Sequence, residues 1–317
     1  MSPLQSQRLV FMGTPSFASP SLKMLAETGA WIGVVTQPDR SVGRGRARQE
    51  SAVKQAAKNL GLPILQPHSL KDETVLQQLE GWRPSAIIVV AFGQILPQSL
   101  LDLPEHGCIN VHASLLPKWR GAAPIPAAIL AGDGVTGVSI MKMEQGLDTG
   151  PVYAQNPQPI SPTATAGALH DRLSKKGARL LLDVLPGILS GSLQPRAQDH
   201  LMATYAAKIK KADGEIDWRQ PARQIERQLR AYDPWPGSFT HWQGKRLIIH
   251  GGESAAGDWP VGAVGKHGER LAIGCGEGLL IPREMQIEGK RVLSSDEFVR
   301  GHQGVLGSQL AMREAKT

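Results

Sequence analysis

Short β-branched runs alternate with amphipathic stretches from Arg8 to Leu189. The apolar runs Arg8–Met12, Trp31–Thr36, Pro63–Leu65, Ala86–Ala91 and Cys108–His112, then Gly137–Met143 and Val152–Ala154, predict strands. Helical spacing predicts helices near Phe17–Glu27, Ser51–Leu60, Asp72–Leu79 and Ile125–Leu130. A longer helix is expected over Thr165–Leu189, with Leu169, Leu173, Leu180, Val184 and Ile188 on one face. Strands and helices that alternate in this way build a parallel sheet with crossover helices, so the fold class is α/β: a doubly wound, mostly parallel, Rossmann-like sheet.

The pattern changes after residue 189. Residues 190–210 contain Gly191 and Pro195 and no strong period, and they read as a linker between a first domain at 1–189 and a second at 211–317. A helix near Pro221–Ala231 must stop at Asp233-Pro234-Trp235-Pro236, because proline cannot continue it. That turn reads as a packed corner. The strands expected at Ser238–Trp242, Arg246–His250, Gly262–Gly265, Leu271–Cys275 and Leu279–Gln286, separated by glycine-rich turns, predict a small OB-like β-barrel.

Composition narrows the class. The chain has 317 residues, 41% hydrophobic and 20% charged, as in a folded globular protein, and no apolar run long enough to span a bilayer. Its two cysteines, Cys108 and Cys275, make no disulfide framework and fit a reducing cytoplasm. No charged-then-apolar leader pattern opens the sequence. The net charge of +7 points toward a polyanionic partner, although the charge divides almost evenly between the two parts, so local clusters must carry any nucleic-acid contact.

The chemistry concentrates in one strand and one loop. Alternation along Cys108–His112 puts Asn110 and His112 on the same face, roughly 7 Å apart. Asp148, within Gly146-Leu147-Asp148-Thr149-Gly150, is expected in a loop at the same sheet edge, where it can fold back onto His112. A hydrogen-bond donor, an imidazole and a carboxylate suit acyl transfer from an activated carbonyl to an amine. Ser114 lacks the Gly-x-Ser-x-Gly elbow of a serine nucleophile. Cys108 and His112 on one straight strand would be about 13 Å apart, too far to share a metal ion, so none is expected. Gly13-Thr14-Pro15 lacks the dinucleotide-binding glycine fingerprint.

Basic residues cluster in three places. Residues 40–58 hold Arg40, Arg44, Arg46, Arg48, Lys54 and Lys58 against Glu50 alone, with Gly43 and Gly45 inside, as in a mobile loop that orders on phosphate. Lys208, Lys210 and Lys211 lie in or beside the linker. If the following helix reached back to Arg219, Arg219, Arg223, Arg227 and Arg230 would form one stripe. Each cluster is also what a solvated surface looks like. Aromatic residues are few, which argues against base-stacking readout.

Asn110-Val111-His112-Ala113-Ser114-Leu115-Leu116-Pro117 followed by Gly146-Leu147-Asp148-Thr149-Gly150 resembles the folate-dependent formyltransferases. Thr36-Gln37-Pro38-Asp39-Arg40, Gly43-Arg44-Gly45, Trp119-Arg120-Gly121-Ala122-Ala123-Pro124-Ile125, Ile216-Asp217-Trp218 and Asp233-Pro234-Trp235-Pro236 narrow the resemblance to the branch that acts on aminoacylated tRNA. The resemblance implies transfer of a formyl group from 10-formyltetrahydrofolate to the α-amine of methionine on initiator tRNA, by a cytoplasmic enzyme expected to be a monomer. It implies catalytic roles for Asn110, His112 and Asp148, a folate site lined by Ser114, Leu115, Leu116 and Pro117, and tRNA contacts from Arg40, Arg44, Arg46, Arg48 and Lys208. Ala113 stands where relatives often carry glycine, and the usual prolines near Glu50 and Ala52 are missing. The competing activities are formylation of a sugar nucleotide or other small amine, which would not need the basic loop, and non-catalytic RNA binding, which would not need the trio.

Overall fold

A computed structural model describes residues 4–42 and 47–311. Two compact units emerge: one comprises residues up to 124, 135–159 and 170–206, the other 125–134, 160–169 and the chain from 207 onward. Residues 190–206, read from the sequence as linker, thus belong to the first unit, through contacts described below.

In the first unit the strands are β1 (Arg8–Gly13), β2 (Trp31–Val35), β3 (Arg40–Val42), β4 (Ala47–Gln49), β5 (Ile64–Leu65), β6 (Ala86–Val90), β7 (Cys108–His112), β8 (Arg120–Gly121), β9 (Val135–Lys142), β10 (Val152–Pro159) and β11 (Tyr205–Ala206). The helices are α1 (Ser19–Ala26), α2 (Ala52–Asn59), α3 (Glu73–Gly81), α4 (Gln98–Leu101), α5 (Pro124–Ala131), assigned mostly to the second unit, and α6 (Ala166–Leu189). Seven strands form one sheet in the order β10-β9-β7-β6-β1-β2-β5. From β7 to β5 neighbours run parallel, whereas β9 is antiparallel to both β7 and β10. The chain winds outward from β1 to β5, then restarts on the other side at β6. That reversal between β1 and β6 is where an open α/β sheet leaves a crevice at its carboxyl edge.

The two faces are covered by different helices. Val10, Met12, Ile87, Val89 and Cys108 pack with Val75 and Leu79 of α3 and Leu100 and Leu101 of α4. On the opposite face α6 comes so near β7 that a Cβ on Gly177 would lie 2.7 Å from Val111 Cγ1. This close approach corrects the expected helix stripe: Leu181 and Leu185, with Leu169, Leu173 and Ile188, are buried, whereas Leu180 and Val184 are only half-buried. With Gly177 and Ala178 also buried, the face runs in steps of four from Leu169 to Leu185 and then three to Ile188.

The second unit holds β12 (Ser238–Trp242), β13 (Lys245–Ala255), β14 (Val264–His267), β15 (Arg270–Gly274), β16 (Leu279–Ile287) and β17 (Leu293–Ser294), with α7 (Ala222–Ala231) and α8 (Ser295–Gly301). The strands form an antiparallel sheet, β12-β13-β16-β15-β14, with β17 on β16. Its core includes Trp218, Ile225, Leu229, Leu247, Met285 and Phe298. Trp218 of the Ile216-Asp217-Trp218 motif is fully buried and donates its indole N–H to Thr240 Oγ1 at 3.1 Å. At the proline turn Trp235 is 57% exposed, so the expected packed corner leaves its indole outside the core.

Candidate active site

β7 alternates its side chains as the sequence pattern requires, with Cys108, Asn110 and His112 on the α3/α4 face. Cys108 is fully buried, its thiol donating to the Leu100 carbonyl at 3.5 Å, and burial pushes its pKa up to about 12. It is a neutral core side chain, not a nucleophile. Asn110 and His112 continue along the face toward the carboxyl end of β7.

Asp148 reaches them from the other end of the sheet. Ile109 stands opposite Lys142 and His112 opposite Ser139, so the chain leaves β9 level with the start of β7. The loop that follows doubles back over the sheet, a path different from the shared edge expected from sequence. Two features hold the return. A Cβ on Gly150 would stand 1.9 Å from the Lys142 carbonyl oxygen, so the backbones approach as only glycine permits, and Asp148 adopts a left-handed φ of 53°.

Asp148 Oδ2 lies 3.7 Å from His112 Nδ1 and accepts the Gly121 N–H at 2.8 Å; Asn110 Nδ2 donates to Asp148 Oδ1 at 3.5 Å. His112 Nε2 is 3.0 Å from the Trp119 carbonyl, which can only accept, so Nε2 carries a proton. One ring nitrogen therefore bonds the Trp119 carbonyl and the other faces the Asp148 carboxylate. The His112 and Asp148 side chains are 7% and 14% exposed, which strengthens their interaction relative to one in water.

The loop after β7 is built around these contacts. Thr204 accepts the Trp119 and Arg120 N–H groups, on Oγ1 at 2.9 Å and on its carbonyl at 2.8 Å. Gly121 has φ 114°, and a Cβ there would meet the Ala206 carbonyl oxygen at 2.6 Å; glycine lets its N–H turn to Asp148. Ala113 does not adopt a positive φ, so alanine brings no backbone strain at that position.

Of the residues expected to line a folate site, Ser114 and Leu116 are buried. Ser114 Oγ donates to the Lys118 carbonyl, while Ser139 Oγ donates to the Ser114 carbonyl at 2.6 Å and accepts the Leu116 N–H at 3.1 Å. Leu115 and Pro117 are half-buried. The sequence reading missed Gln37 and Thr14, which both donate to the Phe92 carbonyl, at 2.7 and 3.1 Å, and so tie the ends of β1, β2 and β6 at the reversal point. Gln37 follows the predicted strand Trp31–Thr36 directly and Thr14 stands two residues past Arg8–Met12, which is the signal that would have found them.

The expected tRNA contacts fall in different settings. Arg44 and Arg46 lie outside the described residues. Arg40 and Arg48 stand on β3 and β4, which pair antiparallel with Arg40 opposite Gln49 and Ser41 opposite Arg48. Lys54 and Lys58 are engaged locally: Lys54 pairs with Asp39 at 2.6 Å and Lys58 with Glu50. Hydrogen bonds from Lys54 and Gln66 hold the Asp39 carboxyl below its ordinary pKa. Lys208 is exposed. The four-arginine stripe does not form, because α7 begins at Ala222 and Arg219 pairs with Asp217 at 2.7 Å. Arg227 and Arg230 reach inward to the carbonyls of Ala131, at 3.5 Å, and Ala164, at 3.3 Å.

Among the described residues no helix is long and apolar enough to cross a membrane. Residues 7–185 match the formyl transferase family and residues 208–303 the formyl transferase C-terminal domain. The methionyl-tRNA formyltransferase of Magnetococcus marinus is 47% identical over 305 residues, covering 96% of this chain and 98% of the relative. That of Myxococcus xanthus is 45% identical over 303 residues, covering 95% and 97%. Among solved structures, HypX from Aquifex aeolicus in complex with tetrahydrofolic acid aligns with a TM-score of 0.63 at 18% identity, over 98% of this chain and 50% of that one. The sugar 3N-formyl transferase WlaRD aligns with a TM-score of 0.66 at 18% identity, over 90% and 99%. These distant likenesses show a shared fold, whereas the close relatives align with both units almost end to end. On that ground the chain belongs to the methionyl-tRNA formyltransferase family.

Proposed function

We propose that the protein transfers the formyl group of 10-formyltetrahydrofolate to the α-amine of methionine on initiator tRNA. The observation that carries the chemistry is the convergence of Asn110, His112 and Asp148 within hydrogen-bonding or ion-pair reach. The neutral methionyl amine attacks the formyl carbon, forming a C–N bond and a tetrahedral centre whose oxygen is negative. Asn110 donates to that oxygen, and the His112 imidazolium, stabilised by Asp148, adds positive charge. The centre collapses, breaking the bond to the folate nitrogen, which takes up the proton released by the attacking amine, through His112 or a water beside it. The 3.7 Å separation of Nδ1 and Asp148 is longer than a hydrogen bond and leaves Nδ1 able to engage a reacting group.

The folate is assigned to the carboxyl edge by β6 and β7. There the half-buried Leu115 and Pro117, and Ile95, 94% exposed in the loop after β6, offer apolar surface for its ring system. The basic segment at 40–48 and Lys208 are assigned to the tRNA backbone, and the protein is expected to act as a cytoplasmic monomer. Incubation of the protein and 10-formyltetrahydrofolate with charged initiator tRNA, charged elongator tRNA, or amino sugars tests the reading. Formylmethionyl-tRNA as the dominant product supports it; preferential formylation of an amino sugar overturns it.

A further inference from the structure

Arg120 is 1% exposed, yet its hydrogen-bond partners are neutral. Its Nε and Nη2 donate to Gln198 Oε1 at 3.1 and 2.7 Å, and Nη2 also donates to His200 Nδ1 at 3.2 Å. A guanidinium has no acceptor, so the Gln198 amide must turn its oxygen toward Arg120. Its nitrogen is then committed to the other side. There it donates to the backbone carbonyls of Asp148, at 2.9 Å, and Gly150, at 2.7 Å.

These bonds close a ring. Arg120 fixes Gln198, Gln198 clasps the loop on both sides of Thr149, and Asp148 receives the N–H of Gly121, the residue after Arg120. Gln198 is 8% exposed, so both ends of its amide are bonded in a site where an unmet donor is costly. Asp148 has a left-handed φ of 53°, which aspartate tolerates, and the two carbonyl bonds fix the loop on either side of the next residue.

We propose that Gln198, oriented by the buried Arg120, is a positioning residue for the reaction: it holds the Asp148 carboxylate against His112. The inference rests on the role proposed for Asp148. Gln198→Glu separates the clasp from mere packing, because a glutamate keeps a partner for Arg120 but turns a carboxylate oxygen toward two carbonyls. Displacement of a reacting group by about 1 Å can cost on the order of 100-fold. Gln198→Glu should therefore lower kcat about 10- to 100-fold with the KM for 10-formyltetrahydrofolate within about threefold.

The measurement is single-turnover formylation of charged initiator tRNA by the full chain, in the wild-type and Asp148→Asn backgrounds, with thermal melting as a control for folding. A large loss from Gln198→Glu alone that shrinks to less than about threefold in Asp148→Asn shows action through Asp148. An equal loss in both backgrounds, or a Gln198→Glu enzyme within about twofold of wild type while Asp148→Asn is slow, overturns the assignment. Near-normal turnover by Asp148→Asn would instead remove the proposed role of Asp148 itself. Should Gln198→Glu melt early, Gln198→Asn, which shortens the clasp without adding charge, takes its place in the same comparison.

Discussion

Asp148→Asn separates the charge of the carboxylate from its shape. Asparagine, like aspartate, tolerates the left-handed φ of 53° at this position, so the backbone stays at ease. Its oxygen can still accept the Gly121 N–H, now 2.8 Å from Oδ2. Its amide nitrogen then faces Asn110 Nδ2, 3.5 Å from Oδ1 in the wild type, and Asn110 must rotate to present an acceptor. What disappears is the attraction between the carboxylate and the His112 ring, 3.7 Å away, whenever that ring carries a proton on both nitrogens. At that separation two unit charges interact by about 1 kcal/mol in a water-like medium and about 4.5 kcal/mol at an effective dielectric near 20. The side chains are 7% and 14% exposed, which favours the upper part of that range. That upper part, about 3 to 4.5 kcal/mol, corresponds to a fall in the rate of formyl transfer of roughly 100- to 2000-fold. Rapid-quench single-turnover assays with saturating folate and charged initiator tRNA read this directly, with circular dichroism and thermal melting to confirm the fold. A folded Asp148→Asn enzyme within about threefold of wild type would refute the electrostatic argument.

Asn110→Ala should cost about 100- to 1000-fold in turnover, the usual loss of one oxyanion donor, and a folded variant with normal turnover would exclude that role. Burial lifts Cys108 and Cys275 from about 9 to about 12, so iodoacetamide at pH 8.5 should label neither thiol until denaturant is added. Because the folded values are the higher ones, the stability these thiols contribute is complete below pH 9 and declines as the pH rises toward 12. Alkaline melting curves that are flat from pH 8 to 11 would contradict this. Ser294→Ala removes the capping box with Glu297 at the start of α8 and should cost about 1 kcal/mol, read as an earlier thermal transition; an unchanged midpoint would show that the cap contributes nothing. Arg44→Ala should slow formylation of charged tRNA and flatten the slope of log affinity against log salt by about 0.7 to 0.9; an unchanged slope would move the phosphate contact elsewhere.

Period and turn chemistry are local properties, and they determined much from the sequence alone. Alternation along Cys108–His112 is enough to align Asn110 with His112, because successive strand residues must point to opposite faces. Gly146 and Gly150 marked a tight loop around Asp148, and the prolines after Tyr232 set the end of α7. The direction of a strand and the depth of a helix are not local. Nothing in residues 135–142 states that β9 runs against β7, and that reversal makes the Asp148 loop fold over the sheet instead of rising from its edge. The helix period could not tell Leu180 from Leu181, because the decision lay in Gly177 and its close approach to Val111. Arg120 and Gln198 stand 78 positions apart, and Gln198 falls in a stretch with no period at all. Only packing showed that a glutamine there orients its amide on a buried cation and bonds the carbonyls of Asp148 and Gly150, since burial and long-range hydrogen bonding exist only once the chain has folded.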